Sequence, residues 1–265
     1  MCSSDLYLSD ESTLSPRHRA ILTLRAAWLA GSEPIWATYA SRGRAAGLAP
    51  ADIRRIAQGP AAKGGDPVEA TLLRLADELY RNQSVTDGTW RALSAAYDPF
   101  HMMDAVETVN HFVVLSMFYQ ALGVQPEAGA PDRLPRDVKY RIDVPRREPP
   151  LTTARYTPLE GRGIAVTRTF QRHPALNQRW SPRQTFVNRT SKLTPHDREL
   201  LILRSGWNCR AEYEWAKHVG SVGHAREHGL EPRHIAEGAA ASAWSPFEKT
   251  LLTMADRKST RMNSS

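Results

Sequence analysis

The chain has 265 residues, 41% hydrophobic and 24% charged, a length and balance that suit two domains with buried cores and exclude disorder throughout. Thirty-five Lys and Arg against 28 Asp and Glu leave a net charge of +7. The basic residues are scattered among Pro, Gly and apolar neighbours, without the Arg stripe and interleaved aromatics of a nucleic-acid surface.

Two cysteines, Cys2 and Cys209, with no CxxC pair, provide neither a disulfide framework nor a thiolate metal cluster, and fit a reducing cytoplasm. No apolar run is long enough for a membrane span, and the N-terminus lacks a signal-peptide pattern. The expectation is a cytoplasmic protein without a metal and without a nucleic-acid or membrane partner. Residues 1–6, "MCSSDL", and 257–265, "RKSTRMNSS" after Asp256, break off the surrounding pattern and read as foreign to the fold.

In chain order, Ser15-Pro16 supplies an N-cap and first-turn proline, followed by Ile21, Leu22, Leu24 and Trp28 at helical spacing. A second helix starts at Glu33 and ends at Gly47. Further helices are expected over 51–58, 67–82, 87–96 and, longest, 101–122. On that long helix, Glu107 and His111 lie four apart and read as a partly buried face. The stretch 125–159 is rich in Pro and Arg and reads as a linker. A short helix near 163–172 follows, and no convincing alternating strand run occurs. The expectation is an all-α fold, helices packed as a bundle.

The pattern then recurs. "LTPHDRELLILRSGW" from Leu193 answers "LSPRHRAILTLRAAW" from Leu14, an offset of 193 − 14 = 179 residues, and "SPFEKTLLTMAD" from Ser245 answers "DPVEATLLRLAD" from Asp66. The same offset pairs Trp28 with Trp207, Glu33 with Glu212, Trp36 with Trp215 and Gly59 with Gly238, and about two dozen of the paired positions are identical. A local three-residue shift before Gly229 implies that the second helix of the later copy gains about a turn and the next loses one. The domains are therefore read as 7–124 for the first copy and 160–256 for the second, the latter lacking its last two helices.

One difference between the copies carries chemistry. "EPIWATY" (33–39) becomes "EYEWAKH" (212–218), so Glu214 and His218 replace Ile35 and Tyr39. A Glu and a His four apart share a helix face, and the carboxylate raises the imidazole pKa. Glu212 lies one turn from Trp215, in reach of a water or substrate, and Arg204 is a candidate for a substrate carboxylate. The Trp pairs common to both copies read as core or subunit packing, with Trp28 and Trp207 equivalently buried.

With these residues quoted, the chain resembles the carboxymuconolactone decarboxylase family, which shares a fold with the alkylhydroperoxidase-like thiol enzymes. "LTPHDRELLILRSGWNCRAEYEWAKHV", "SPFEKTLLTMAD", "ALGVQPE" and the lead-in "RHPAL" carry the resemblance. It implies two tandem all-helical copies, a homo-oligomer such as a trimer of two-domain chains, and a small-molecule substrate. In redox members a CxxC precedes the His. Here those Cys positions fall on Ala211 and Glu214, with the His on His218, so the dithiol mechanism is excluded at this site.

Three functions follow. The first is a cofactor-free decarboxylation of a small lactone carboxylic acid in aromatic-compound catabolism, with His218, Glu214 and Glu212 catalytic and Arg204, Trp215 and Cys209 binding substrate. The second is a peroxiredoxin-type antioxidant using Cys209 alone. The third is a non-catalytic oligomeric module.

Overall fold

The computed structural model describes residues 11–142, 151 and 153–264, with side chains described as far as Asp256. The readings of residues 1–6 and of Cys2 fall outside this range, and 257–264 are described only as the backbone of a helix end. Among the described residues every regular element is a helix. The chain divides into two compact units, 1–180 and 181–265.

In the first unit α1 (Pro16–Leu29), α2 (Glu33–Ala45), α3 (Pro50–Gln58), α4 (Pro67–Asn82), α5 (Asp87–Ser94) and α6 (Pro99–Leu122) follow one another. Their boundaries obey the capping chemistry. Ser15 accepts from the His18 amide, Asp66 from Val68 and Glu69, Thr86 from Thr89, and Asp98 from Phe100 and His101, each satisfying an otherwise orphan N–H. α1 lies at the centre, with Ala20 to Ala27 all buried, and packs on α2, α4 and α6. Its core joins Ile21, Leu22, Leu24, Trp36, Ile56, Leu72, Leu75 and Phe112.

The hydrophobic interior of this unit encloses an ion pair. Arg25 and Asp77 have fully buried side chains. Nε and Nη2 of Arg25 reach the two Asp77 oxygens at 2.7 and 3.0 Å, and Nη1 donates to the carbonyls of Ile56 and Ala57 at 2.9 and 2.8 Å. A buried guanidinium is tolerated only when its donors are spent in this way. Gly59, at φ +90°, lies over it. A Cβ there would meet Arg25 Nη2 at 2.9 Å and the Tyr140 ring at 2.6 Å, so the position requires glycine for space as well as conformation.

Part of the segment read as a linker is a strap over the first unit. Asp132 pairs with Arg44, the Leu134 N–H donates to Glu33 at 3.1 Å, and Arg136 reaches the other Glu33 oxygen at 3.2 Å. Tyr140 then donates to Asp77 at 2.6 Å while its ring covers Arg25 and meets Trp28 edge-on.

The lead-in to the second copy also differs from expectation. α7 (Ala165–Phe170) and the first part of α8 (Pro174–Thr185) belong with the first unit. Leu176 joins its core, and His173 pairs with the buried Asp104 at 3.1 Å. The resemblance assigned 160–180 forward, whereas apolar burial draws it backward.

The second unit contains α9 (Pro195–Asn208), α10 (Glu212–Val219), α11 (Pro232–Glu237) and α12 (Pro246–Ser264). Its smaller core gathers Leu200, Leu203, Leu230, Ile235, Trp244 and Leu252. The ion pair returns at the same offset. Arg204 Nε contacts Asp256 at 2.5 Å, and Nη1 donates to the carbonyls of Ile235 and Ala236 at 2.7 and 2.9 Å, beneath Gly238 at φ +75°. The Arg17–Glu69 contact of 2.6 Å is likewise answered by His196–Glu248 at 2.7 Å.

Two expectations about this unit are corrected. α10 does not extend toward Gly229. It stops at Val219, and the inserted residues form a loop leading to a 3-10 turn at Ala225–His228, with His224 at φ +48°. The Trp28 and Trp207 rings are not equally buried, because Tyr140 covers Trp28, whereas Trp207 is 48% exposed.

Candidate functional site

α10 begins at Glu212 because the chain leaves α9 through Arg210 at φ +52°, reversing direction in three residues. At roughly 100° per residue, Glu214 and His218 share one face of α10 and Glu212 lies roughly 120–160° round from them, with Trp215 between, about 60° from both Glu212 and His218. The predicted site residues accordingly separate into two places.

The first place is an acid-base cluster. His218 is 5% exposed. Its Nδ1 lies 2.7 Å from Oε2 of Glu199 on α9, and its Nε2 lies 3.2 Å from Oε1 of Glu214. Glu199 is buried, whereas the Glu214 side chain is 48% exposed. Burial by itself pushes the imidazole pKa down, but the two carboxylates outweigh it and raise the value to about 9. His218 is therefore an imidazolium at neutral pH, donating from both nitrogens. In return the His218 hydrogen bond holds the Glu214 carboxyl below its usual range, against the opposing effect of burial.

Gly223 closes this cluster on one side. A Cβ there would meet Glu199 Oε2 at 2.2 Å and His218 Nδ1 at 2.8 Å. The loop that replaced the expected helical turn thus brings backbone directly against the ion pair.

Glu199 was not among the residues singled out from sequence. The signal was present in the offset alignment: Glu199 stands where the first copy has Ala20, and His218 where it has Tyr39. In the first unit that place is apolar. Ala20 and Ile35 are core residues, and Tyr39 packs edge-on against Phe112 at 4.7 Å.

The second place is a groove of about 560 Å³ lined by Gly206, Trp207, Arg210, Ala211, Glu212 and Trp215. The two indoles sit 5.3 Å apart, tilted by 53°. Glu212 is exposed at the first position of α10, where the helix N-terminus favours its charge. Neither His218 nor Glu214 lines this groove.

The remaining two candidates lie elsewhere. Arg204 places Nε on Asp256 and Nη1 on two carbonyls, the arrangement that Arg25 has in the first unit. Cys209 is half-buried at the C-cap of α9, its N–H bonded to the Ser205 carbonyl. Among the described residues no group of His, Cys, Asp and Glu is arranged to hold a metal ion, and no helix is long and apolar enough to cross a membrane.

An all-helical unit around a buried Arg–Asp tie, with an imidazole held between carboxylates at the equivalent place in the second unit, narrows the class. Residues 1–78, within the first unit, match the model of the Carboxymuconolactone decarboxylase family. No curated protein and no solved structure matches the chain.

Proposed function

We propose that the second unit is a further copy of the same domain and performs cofactor-free acid-base chemistry: loss of carbon dioxide from a small lactone carboxylic acid, with His218 as proton donor. The observation carrying this reading is the buried imidazolium clamped between a fixed carboxylate, Glu199, and a half-exposed one, Glu214. A purely structural tie needs neither a partner open to solvent nor a proton held at neutral pH.

The balance is as follows. The bond between the substrate carboxylate and the ring carbon breaks, carbon dioxide leaves, and its electron pair spreads through the lactone carbonyl as a dienolate. That carbanion equivalent is a strong enough base to take the proton His218 retains up to about pH 9. Nε2 becomes available when Glu214 swings outward, and water restores the proton by way of Glu214. Glu199 stays in place, fixes the ring orientation through Nδ1 and stabilises the positive charge. Glu212 and Trp215, which line the groove, are outside this sequence of steps.

Assembly belongs to the same reading. Val114, Phe118 and Leu122 are exposed at four-residue spacing along the end of α6, an apolar stripe that supports packing between copies in a homo-oligomer such as a trimer. A cytoplasmic setting accords with a chain that has two cysteines and no CxxC pair.

The test is release of carbon dioxide from a panel of lactone carboxylic acids. His218→Gln is expected to lower turnover by roughly a hundredfold or more, the usual contribution of a general acid, while Tyr39→Phe leaves it unchanged. Turnover of the parent should fall as pH rises through about 9, where His218 loses its proton. Full activity in the His218 variant ends this reading.

A further inference from the structure

The ties at the starts of α1 and α9 are built from different chemistry. In the first unit Arg17 donates from Nη1 to the Gly47 carbonyl at 2.8 Å and from Nε to Glu69 at 2.6 Å. Its counterpart 179 positions later is His196. That ring meets the same two kinds of acceptor: Nδ1 lies 2.7 Å from the His228 carbonyl, one residue before the glycine that answers Gly47, and Nε2 lies 2.7 Å from Oε1 of Glu248. A carbonyl and an ionised carboxylate only accept, and a neutral imidazole has a single N–H, so both contacts are made only by the imidazolium. A guanidinium keeps its charge at every accessible pH, whereas an imidazole does not. The second unit therefore closes with a titratable group what the first closes with a permanent one.

What this tie holds lies against the acid-base cluster. His228 ends the 3-10 turn Ala225–His228, and the loop that feeds the turn carries Gly223, whose backbone abuts Glu199 and His218. Ala225 at the start of the turn and Leu230 just beyond its end are buried in the core, so the turn loosens without leaving when the tie is lost. When one proton is left to the ring it stays on Nε2, because a hydrogen bond to a carboxylate is stronger than one to a neutral carbonyl. Nδ1 then turns a lone pair toward the His228 carbonyl, and that contact opens.

We infer that His196 is a pH-sensitive clasp: protonated, it binds the 225–228 turn to α9 and α12 and keeps the Gly223 loop closed over the Glu199–His218 pair, and deprotonated, it lets that loop open to solvent. Its surroundings favour the closed form near neutrality. Burial lowers the pKa of the ring, but the His228 carbonyl, Glu248 and Asp197 outweigh it and hold the value above the ordinary one for imidazole. Other charges come from the packed elements. On α12, Lys249 is exposed; on the turn, Arg226 reaches Glu231 at 3.3 Å, Glu227 reaches His224 at 3.2 Å, and His228 gives the clasp only its carbonyl. The clasp is therefore complete below about pH 6.5 and is lost as pH rises through the raised value. It regulates the site proposed above and rests on that reading for its purpose, not for its geometry.

The experiment is amide hydrogen exchange of the full chain, read by mass spectrometry over 220–230 at pH 5.5 and pH 9, with His196→Arg as the permanently charged reference. Comparison at equal pH removes the intrinsic pH dependence of exchange and the titration of His218, which both proteins share. At pH 5.5 the two should be equally protected. At pH 9 this loop should exchange about tenfold faster in the parent than in His196→Arg, the loss of one charge-assisted hydrogen bond. His196→Gln should be fast at both. Equal protection of the parent and His196→Arg at both pH values overturns the proposal, as does His196→Gln protected like the parent at pH 5.5. Should a variant fail to fold by circular dichroism, an NMR titration of the parent decides: the Gly223 amide must shift at the midpoint of the His196 ring, and an unmoved amide or a ring already neutral at pH 6 overturns the clasp. Exchange is read without turnover, so failure of the clasp and failure of the decarboxylation reading are separate results.

Discussion

The two units keep one buried ion pair and differ in what surrounds it. In the first, Arg25 and Asp77 are sealed by Tyr140. In the second, Arg204 bonds Asp256 and donates to the equivalent carbonyls, but the pair stays partly open, with Asn208 donating to Asp256 at 3.0 Å. A few residues away the difference reverses: the first unit fills its space with Ala20, Ile35 and Tyr39, and the second places Glu199, Glu214 and His218 there. The contact retained in both copies is the one that joins the helices. The contact that changed, as a set of three, is the one on which the proposed chemistry rests.

The largest expected effect tests the first half of that comparison. Arg25→Ala strands Asp77 in a dry interior and should cost ~3–5 kcal/mol, the penalty for breaking a buried pair. Arg204→Ala should cost clearly less, because water already reaches Asp256. Urea unfolding of the two variants measures both, and equal losses would break the distinction between sealed and open pairs.

The second prediction concerns pH. The folded pKa of His218 lies at about 9, above the ordinary imidazole value of about 6.5. Its stabilising contribution is therefore fully present below about pH 6.5 and is lost as pH rises through 9, by at most ~3 kcal/mol. Stability of the second unit, followed by Trp fluorescence in urea at pH 6, 7.5 and 9.5, should fall over this window. His218→Gln should flatten that dependence, whereas Tyr39→Phe should not.

The smallest effect sharpens the role of the strap. Glu33→Ala releases Leu134 and Arg136 and should cost ~1 kcal/mol, while Glu212→Ala, at an exposed position, should cost less than ~0.5 kcal/mol. Differential scanning calorimetry resolves the pair, and equal costs would remove the strap as a stabilising element.

Much of the first unit was legible in sequence because its helices announce themselves locally. Pro16, Pro67 and Pro99 follow side-chain N-caps, and the observed helices Pro50–Gln58 and Pro67–Asn82 lie within a residue of the expected ones. The pairing of Glu199 with His218 spans 19 residues and two helices, which no local spacing reveals. It was visible only as a joint exchange against Ala20 and Tyr39. The strap was illegible for another reason. Its hold on the first unit comes from a backbone N–H and long side chains, which leave no hydrophobic period in a Pro- and Arg-rich stretch. The bonds of Arg204 to Asp256 and two carbonyls were not legible either, because an arginine beside an apolar run looks alike whether it meets a substrate or a carbonyl pair. The separation of Glu212 from Glu214 and His218, by contrast, follows from helical geometry already present in the numbers 212, 214 and 218, whereas Trp215, three residues from both Glu212 and His218, is placed only by the structure.

One consequence of the Arg25 tie lies in time rather than in shape. The guanidinium belongs to α1, yet it holds the last carbonyls of α3, a carboxylate on α4 and, through Tyr140, the strap. α3 cannot fray from its C-terminal end without opening the centre of the unit, so amide protons over 53–59 should exchange only when the whole unit opens. The equivalent amides over 232–238, held by a tie that water reaches, should exchange by a smaller and more frequent opening. The same covalent pattern would then keep one half of the chain closed for long periods while letting the other half breathe around its imidazole.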